Sequence, residues 1–595
     1  MLKKKLQLFF RRLKKHAVVR IKLAQRNVRN STIILVLLCV IIAIFLSILV
    51  LFINRGIRWC HHILFLINSN EYLSAASFIP SSRILIIPCI GGLCLGLIKR
   101  LIKKWRPNDI VDPVEANALL GGKLNLIDSI RLTTTTIISN ISGASVGMEA
   151  GYTQICAGIF SNIGKWFHLR REDLRIFVGA GAAAAIATVY NAPLAGTFYA
   201  FEMMLGSYTV SALAPVSAAA FSGALFTRLV KSSNPIFMLT TDLLIEPWQY
   251  LVFIIMGVFA GYFSIFTMKI VTWTEQGFKK VSTPDWLKPA IGGFALGLMA
   301  LTAPQVLGSG QRAIQYNLDI SWPIYTLLLM FVVKLVASSV SLGSGFLGGL
   351  FSSSIFIGSL YGSIIGYAVG QFTSITEGQM LTFVLVGMGS FGAGVIGTPM
   401  TMVMLVLELT GDYKAALGVM SGAITSFLLV RTNFGYSFST WKFHLKGKMI
   451  KDARDIGWLN EIKVKPIVRN DMKTININET LANLRKMIEH RAKILVIAVD
   501  DNGLYEGLVD VVMAKSPDLD NSLSESISSL GLVSLEKVVL TNNSSVSRAI
   551  KLFEEGKTEI LPVIANLKDY SVVGYVSEID VFRYYARALE KKRDN

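Results

Sequence analysis

The sequence predicts an all-α, polytopic membrane domain with an inverted internal repeat, followed by a cytoplasmic α/β unit made of two similar modules. Three observations lead to this prediction. Of the 595 residues, 52% are hydrophobic and only 16% are charged, whereas a soluble domain carries about 25% charged residues. Apolar segments continue to about residue 432 and then stop. Within them, Gly-, Ala- and Ser-rich stretches interrupt the apolar pattern in two matching places.

The chain begins with a basic segment. Residues 1–30 contain eleven Lys or Arg and no acid, and an apolar run over residues 32–53 follows them. That run is long enough to cross a bilayer, and the positive charge before it predicts a cytoplasmic amino terminus. Contact of the basic segment with anionic membrane lipid is compatible with this topology. The net charge of +20 therefore fits basic cytoplasmic segments, and no nucleic-acid partner is expected.

Apolar segments of spanning length recur along the membrane domain, which we place at residues 31–447. The predicted spans are 83–101, 123–141, 209–230, 247–275, 285–302, 324–341, 353–369 and 377–396. Segments too short or too interrupted to be ordinary spans lie between them, at 142–164, 177–204, 343–358 and 397–411. Irregular backbone survives at membrane depth only where it is buried in protein or lines a polar cavity. The interrupted segments therefore predict a transport site.

A weak internal repeat supports this prediction. Pro193 recurs as Pro399 and Glu202 recurs as Glu408, both at an offset of 206 residues. Duplicated halves with interrupted helices in matching places are typical of transporters whose site lies at the repeat interface. The alternative is that small residues recur simply because they let helices pack closely.

Glu149 is the sharpest single candidate. It lies in the Gly-rich segment SGASVGMEAG at 142–151, between apolar segments, and a carboxylate at membrane depth is functional by default. A helix that begins near Ala150 would direct free N–H groups and a positive dipole end into a cavity, which suits an anion. Ionised Glu149 would compete for that place, and its protonation would open the path. The alternative, a structural ion pair, lacks an adjacent Lys or Arg.

The second half carries a matching Gly-rich segment, GSGFLGGLF at 343–351. An anion requires N–H or O–H donors, and the backbone N–H groups of Leu350 and Phe351 at a helix start would supply them.

These segments resemble the CLC family of chloride channels and proton/chloride exchangers, over most of residues 30–447. GMEAGYTQ at 147–154 is similar to the family's G-[KR]-E-G-P segment, which implies that Glu149 is the gating glutamate. NAPLAGTFYAFE at 191–202 looks like the segment after the gate, and GSGFLGGLF resembles the GG-x-F-x-P loop whose amides ligate the central anion. The resemblance implies a homodimer with one anion path per subunit, and anion-binding residues Gly147, Ala150, Gly151, Gly349, Leu350 and Phe351, with Ser439 or Tyr436 lining the path.

The sequence departs from the family pattern at several positions. Met148, Gly151 and Ser353 replace a basic residue and two prolines. The family's internal proton-relay glutamate falls at Met203, and a methionine carries no proton. This departure favours passive conduction, or an exchanger with another internal proton route.

Two hydroxyl ligands of the family pattern, a serine and a tyrosine, are also missing from their expected positions in the sequence. The family's G-S-G-x-P anion loop falls at residues 108–112, where Asp109 occupies the hydroxyl position and would repel an anion if it pointed inward. The pore tyrosine falls at Ser439, and Tyr436 is the other candidate for that role.

From about Lys446 the composition is that of a soluble α/β unit with its own repeat, because residues 480–499 resemble residues 545–565. Each copy continues through a turn into a strand, which predicts two small modules, at 464–515 and 528–587. They resemble a pair of CBS modules, in which G-h-h-[ST]-x-x-D often contacts the ribose of an adenosine nucleotide. This implies nucleotide contacts at Ser577 and Asp580; support of a dimer is the alternative.

The sequence therefore predicts a multi-pass protein of the cell membrane, with both termini in the cytoplasm, that conducts chloride or another small anion. The alternatives are a proton-coupled chloride exchanger and a nucleotide sensor whose membrane part is only an anchor. An enzyme is not expected, because the six histidines and five cysteines show no metal or nucleophile–base spacing. No cofactor is expected besides the nucleotide.

Overall fold

The computed structural model describes residues 25 and 28 together with residues 31–68, 71–76, 78–107, 110–230, 243–319, 322–445, 462–488, 495–515, 517–534, 539–556, 560–566, 570–581 and 583–584. The chain divides into two compact units, residues 1–455 and 456–595. The predicted basic segment 1–30, apart from residues 25 and 28, and the predicted role of Asp109 lie outside the described residues.

The first unit is helical, and its earlier half contains eight described α-helices. The first helix begins at Thr32 because the side chain of Ser31 caps its first turn, and it continues to Phe65, beyond the predicted end of the apolar run. A short π-helical turn, Ala200–Leu205, follows the seventh helix. The helices are α1 (Thr32–Phe65), α2 (Ser81–Trp105), α3 (Pro113–Leu119), α4 (Leu126–Ile141), α5 (Glu149–Trp166), α6 (Arg171–Tyr190), α7 (Pro193–Tyr199) and α8 (Val210–Val230).

The later half of this unit continues with nine more described helices. Two short 3₁₀ turns, Leu73–Ala75 and Pro304–Val306, also belong to the unit. The helices are α9 (Pro247–Lys280), α10 (Lys288–Thr302), α11 (Ala313–Asp319), α12 (Ile324–Ser344), α13 (Phe351–Gly370), α14 (Glu377–Ile396), α15 (Pro399–Thr410), α16 (Tyr413–Asn433) and α17 (Phe438–Leu445).

Nine helical stretches of the described chain are long and apolar enough to span a membrane, so the protein is a multi-pass membrane protein. Of the segments predicted to be too short or too interrupted for ordinary spans, 177–204 is interrupted, because α6 ends at Tyr190 and α7 begins at Pro193. Within 142–164, α5 begins only at Glu149 and continues for 18 residues to Trp166, and it is not one of the nine stretches. The predicted span 123–141 is the 16-residue helix α4.

The repeat is visible in the helix boundaries. α6 and α14 each end at a residue with left-handed backbone, Asn191 (φ 53°) and Gly397 (φ 83°), and a short helix begins two residues later, at Pro193 and Pro399. Proline suits a first helical position because its missing N–H would have no intrahelical partner. The two halves therefore share the same break, 206 residues apart.

The core of the unit lies along α13 and α14. Almost every residue of α14 is buried, and its backbone approaches α13 closely, because a Cβ on Gly387 would lie 2.5 Å from the carbonyl oxygen of Gly358. Small residues permit this close helix contact within a membrane. The packing joins α13, whose first turn is part of the site, closely to a buried helix.

The second unit contains two small sheets. The first sheet has the order β1-β2-β3-β4, with β1 and β2 parallel and the other pairs antiparallel; the second has the order β5-β6-β7, with β5 and β6 parallel and β6 and β7 antiparallel. This is the predicted pair of similar modules, although β4 lies beyond residue 515. The elements are β1 (Lys473–Asn476), α18 (Leu481–Ile488), β2 (Val496–Val499), β3 (Tyr505–Val509), α19 (Val511–Ala514), β4 (Val533–Ser534), β5 (Leu540–Thr541), α20 (Val546–Gly556), β6 (Ile560–Ile564) and β7 (Val572–Ser577).

Candidate functional site

Glu149 is the first residue of α5 and is buried, with 5% of its surface exposed. Its Oε1 accepts hydrogen bonds from the hydroxyl groups of Tyr190, at 2.7 Å, and of Ser352. Its Oε2 is buried and has no hydrogen-bond partner among the described residues. The predicted gate therefore lies inside the protein, and two hydroxyl groups donate to one of its carboxylate oxygens.

The two Gly-rich loops meet in an antiparallel bridge. The N–H of Gly147 donates to the carbonyl of Gly349 at 2.8 Å, and the N–H of Gly349 donates to the carbonyl of Gly147 at 3.0 Å. The N–H of Gly151 donates to the carbonyl of Met148 at 2.9 Å. These three N–H groups already have acceptors, so the anion-binding role predicted for Gly147, Gly349 and Gly151 stays a prediction, and an N–H donor for an anion would have to come from their neighbours.

Those neighbours lie at the starts of two helices. The structure records no backbone acceptor for the N–H groups of Ala150, Leu350 and Phe351 within the described loops, as expected for residues at a helix N-terminus. The backbone N–H groups of Glu149 and Ser352 interact with the Glu149 carboxylate. The bridge thus holds two positive helix ends together at a protein carboxylate, which is an arrangement that attracts negative charge.

Gly147 has a steric role at this site. A Cβ on Gly147 would lie 1.9 Å from Oε2 of Glu149, and the next nearest atoms also belong to the Glu149 carboxyl group. The absence of a side chain at Gly147 therefore leaves the space that the Glu149 carboxylate occupies.

The residues predicted near the carboxy-terminal end of the membrane unit form a separate group. The Tyr436 hydroxyl lies 3.1 Å from Nδ1 of His444, and the two rings stack. Ser439 lies in the first turn of α17. Within the described part of the chain, no recorded hydrogen bond or ring contact joins Tyr436 or Ser439 to Glu149, so their predicted path-lining role stays a prediction.

Glu202 in the first half caps a helix of the second half, and Glu408 in the second half caps a helix of the first. The sequence analysis missed this pairing. The Glu202 carboxylate accepts from the N–H groups of Met400 and Thr401 at the start of α15. The Glu408 carboxylate accepts from the N–H groups of Leu194 and Ala195 at the start of α7. The recurrence of an acid at the same offset was the available signal.

Met203 is buried in the π-helical turn beside Glu202. Its side chain carries no titratable group, so this position offers no proton carrier.

Lys334 was also missed. It lies in the middle of the apolar helix α12 and is fully buried, and its ammonium donates to Ser145 Oγ at 2.9 Å and to the carbonyl of Gly308 at 2.9 Å. Ser145 belongs to the loop that precedes Glu149. A lone charge inside an apolar helix was the signal that could have identified this residue.

Ser577 and Asp580, the predicted nucleotide contacts, hydrogen-bond to each other at 2.7 Å at the end of β7. Arg469 lies 3.4 Å from Asp580 and 2.7 Å from Asp471. The guanidinium of Arg469 holds the pKa of Asp471 below its usual range. The candidate nucleotide residues therefore lie beside a paired arginine.

Comparison with known proteins gives two family matches. A family described as voltage gated chloride channel matches residues 90–431, and the CBS domain family matches residues 532–587. A putative chloride channel protein ClcB-like from Ralstonia nicotianae is 27% identical over 361 residues, which cover 60% of this chain and 84% of that protein. A voltage-gated ClC-type chloride channel ClcB from Citrobacter koseri is 29% identical over 378 residues, covering 62% and 89%.

Solved structures show the same fold. A slow cyanobacterial Cl⁻/H⁺ antiporter superposes with a TM-score of 0.60 and 20% identity, covering 69% of this chain and 97% of that one. A eukaryotic CLC transporter superposes with a TM-score of 0.55 and 16% identity, covering 92% of this chain and 97% of that one. At this identity, the likeness concerns the fold alone.

Proposed function

The chain belongs to the voltage gated chloride channel family, and from this premise we propose that it moves chloride, or a similar small anion, across the cell membrane through a path gated by Glu149. A single observation carries the proposal: the buried Glu149 carboxylate lies where two helix starts converge. A site that holds one negative group with fixed dipoles and hydroxyl donors can hold another. Protonation of Glu149 weakens its hold on this place and admits the anion.

The mode of transport that we propose is passive conduction by a channel. The support is Met203, which lies where the family's internal proton carrier would fall and cannot transfer a proton. Relatives named as channels agree with this choice, whereas the cyanobacterial neighbour is named an antiporter. A proton-coupled exchanger with another internal route is the second candidate. We propose further that the protein is a homodimer with one path per subunit and that both termini are cytoplasmic.

Anion flux from liposomes tests the function. The purified protein should release chloride under an imposed gradient, with faster release at acidic than at neutral external pH. Glu149→Ala should conduct at all of these pH values, because the competing carboxylate is gone. Protein that moves no chloride, nitrate or fluoride would support a non-conducting nucleotide sensor, and unchanged pH-dependent flux in Glu149→Ala would exclude Glu149 as the gate.

The reversal potential under a pH gradient separates the two transport modes. A channel should reverse at the chloride equilibrium potential whatever the pH gradient, whereas an exchanger shifts with it. A shift in the unmodified protein would replace the channel proposal with the exchanger.

We also propose that the second unit binds an adenosine nucleotide through Ser577 and Asp580. The support is their pairing at the end of β7 beside Arg469, a residue type suited to phosphate. ATP titration by calorimetry on the full-length protein should give a saturable heat that Asp580→Ala removes. Equal binding by that variant, or none by the unmodified protein, would leave dimer support as the role of this unit.

A further inference from the structure

We propose that the hydroxyl groups of Tyr190 and Ser352 form an anion-binding subsite, which Glu149 fills in this structure and which the anion fills when Glu149 leaves. This inference rests on the proposed anion transport and specifies two ligands that the sequence analysis did not identify.

The subsite has a defined geometry. The Tyr190 hydroxyl lies 2.7 Å from Glu149 Oε1 and 2.8 Å from Ser352 Oγ, and Ser352 also donates to Oε1. Tyr190 and Ser352 are 2% and about 1% exposed. Three buried oxygens therefore form a triangle, and one of its corners belongs to the Glu149 carboxylate.

The proton count favours an anion at that corner. Each hydroxyl carries one proton, so when both donate to Oε1, neither proton is left for the contact between Tyr190 and Ser352. If the carboxylate moves away, one hydroxyl can donate to the other across the 2.8 Å contact, which leaves one buried O–H without an acceptor. A buried donor without an acceptor is costly, and an entering anion can accept a hydrogen bond from each hydroxyl group.

The donors are held in position without Glu149. The Tyr190 ring packs on the Phe351 ring with centroids 5.3 Å apart, and Tyr190 is the last residue of α6 before the left-handed Asn191. Ser352 lies in the first turn of α13, whose neighbouring helix is almost wholly buried. A subsite of this kind is preorganised, so the anion does not have to order it.

The subsite also supplies the serine and tyrosine hydroxyl donors that this chain lacks at the positions where the family pattern predicts them. The resemblance led us to expect a serine where Asp109 stands and a tyrosine at Ser439, while the Tyr436 hydroxyl contacts His444. Tyr190 and Ser352 supply the same two hydroxyl types at a different position. They lie at the proposed gate, so the anion and the Glu149 carboxylate compete for the same two hydrogen-bond donors.

The partly unsatisfied carboxylate favours this exchange. Oε2 of Glu149 is buried without a hydrogen-bond partner among the described residues, which weakens the hold of the site on the ionised gate. An anion that accepts hydrogen bonds from both hydroxyl groups replaces a carboxylate that has one unsatisfied oxygen in the site.

Chloride binding in a Glu149→Ala background tests the subsite, because this change removes the competing carboxylate. Isothermal titration of the purified full-length protein with chloride should show that Tyr190→Phe and Ser352→Ala each weaken binding. A hydrogen bond to a charged group predicts a loss of about tenfold for each, and the double variant should bind more weakly than either. Tyr190→Phe keeps the ring and its packing.

Two matched variants control for the loss of any buried hydroxyl. Tyr361→Phe removes a buried phenol that donates to the carbonyl of Met256, and Ser354→Ala removes a serine hydroxyl of α13 that donates to the carbonyl of Phe351. Both should bind chloride like the Glu149→Ala parent.

The outcomes separate this inference from the proposed function. If the Glu149→Ala parent binds chloride and the hydroxyl variants bind it equally well, the subsite is wrong and the transport proposal stands. If the hydroxyl changes alter only flux in the presence of Glu149, the pair holds the gate and is not an anion ligand, which also overturns the inference. If the parent binds no chloride, nitrate or fluoride, both proposals fail together.

Discussion

The two Gly-rich loops have the same backbone arrangement but carry different side chains at the site. Gly147 pairs with Gly349, and two residues later each loop starts a helix, with Glu149 in the first half and Phe351 in the second. The next position holds Ala150 in one half and Ser352 in the other. The repeat thus supplies two positive helix ends, whereas only one half supplies the acid and the other supplies a hydroxyl.

The difference shows that the pair of helix starts comes from the repeat, whereas the acid and the hydroxyl group come from positions at which the two halves differ. Two like helix ends build an electropositive place from either half, and an acid in both loops would put two carboxylates in one small space, where like charges repel. An aromatic side chain in the second loop instead packs on Tyr190 and Tyr199. The broken symmetry therefore leaves a single acidic side chain at the site, which we propose is the gate, with an aromatic residue at the matching position of the other half.

The largest effect that we predict is the difference between Gly147→Ala and Gly349→Ala, each of which adds a methyl group to one of the paired glycines. A Cβ on Gly147 would overlap the Glu149 carboxyl group, whereas one on Gly349 would meet only ordinary contacts, the nearest at 3.7 Å. Because the carboxylate is the end of a flexible side chain, Gly147→Ala should displace the gate and fold normally. We expect its occupancy to fall about tenfold or more, since two hydrogen bonds to a charged group are lost.

Chloride flux at acidic and neutral pH measures this effect. Gly147→Ala should lose most of the pH dependence, as Glu149→Ala does, whereas Gly349→Ala should keep it. Equal retention of pH dependence in the two variants would mean that the asymmetry between the loops does not control the gate.

A smaller effect should distinguish the two reciprocal caps. Glu202 accepts from two backbone N–H groups and from the hydroxyls of Thr401 and Tyr208, whereas Glu408 accepts from two backbone N–H groups. A glutamine amide keeps one weaker acceptor oxygen and replaces the other with an NH2 group that accepts no hydrogen bond, so Glu202→Gln should lower the free energy of unfolding by about 2–3 kcal/mol and Glu408→Gln by about 1–2 kcal/mol.

Unfolding in detergent micelles, followed by circular dichroism, gives the order of the two variants. A larger loss for Glu408→Gln than for Glu202→Gln would show that the hydroxyl donors contribute nothing to the cap.

Much of this arrangement could be predicted from the sequence. The charge-poor apolar segments identify the membrane domain, the acid at an offset of 206 residues identifies the repeat, and the lone carboxylate in a Gly-rich segment identifies Glu149. These features are local, because length, polarity and glycine content act on nearby residues. The helix expected to begin near Ala150 begins at Glu149, as the glycine-rich segment before it predicts.

The partners of Glu149 could not be predicted in this way. Tyr190 precedes a helix break and Ser352 follows a loop, and they are 162 residues apart in sequence. Only the packing of α6 against α5, and the bridge between the loops, brings them to one carboxylate. The pairing of Gly147 with Gly349 is likewise a tertiary contact, so the sequence could not show that these N–H groups are already used.

The smallest effect concerns the left-handed residues at the two helix breaks. Asn191 tolerates φ 53°, and its side chain accepts a hydrogen bond from Arg228, so Asn191→Gly should change the free energy of unfolding by less than about 0.5 kcal/mol. At Gly397 (φ 83°), a Cβ would lie 2.8 Å from Cβ of Ser437, so Gly397→Ala should cost about 1–2 kcal/mol. The same unfolding assay compares them, and an equal cost at both breaks would contradict a steric origin, because only Gly397→Ala adds a methyl group.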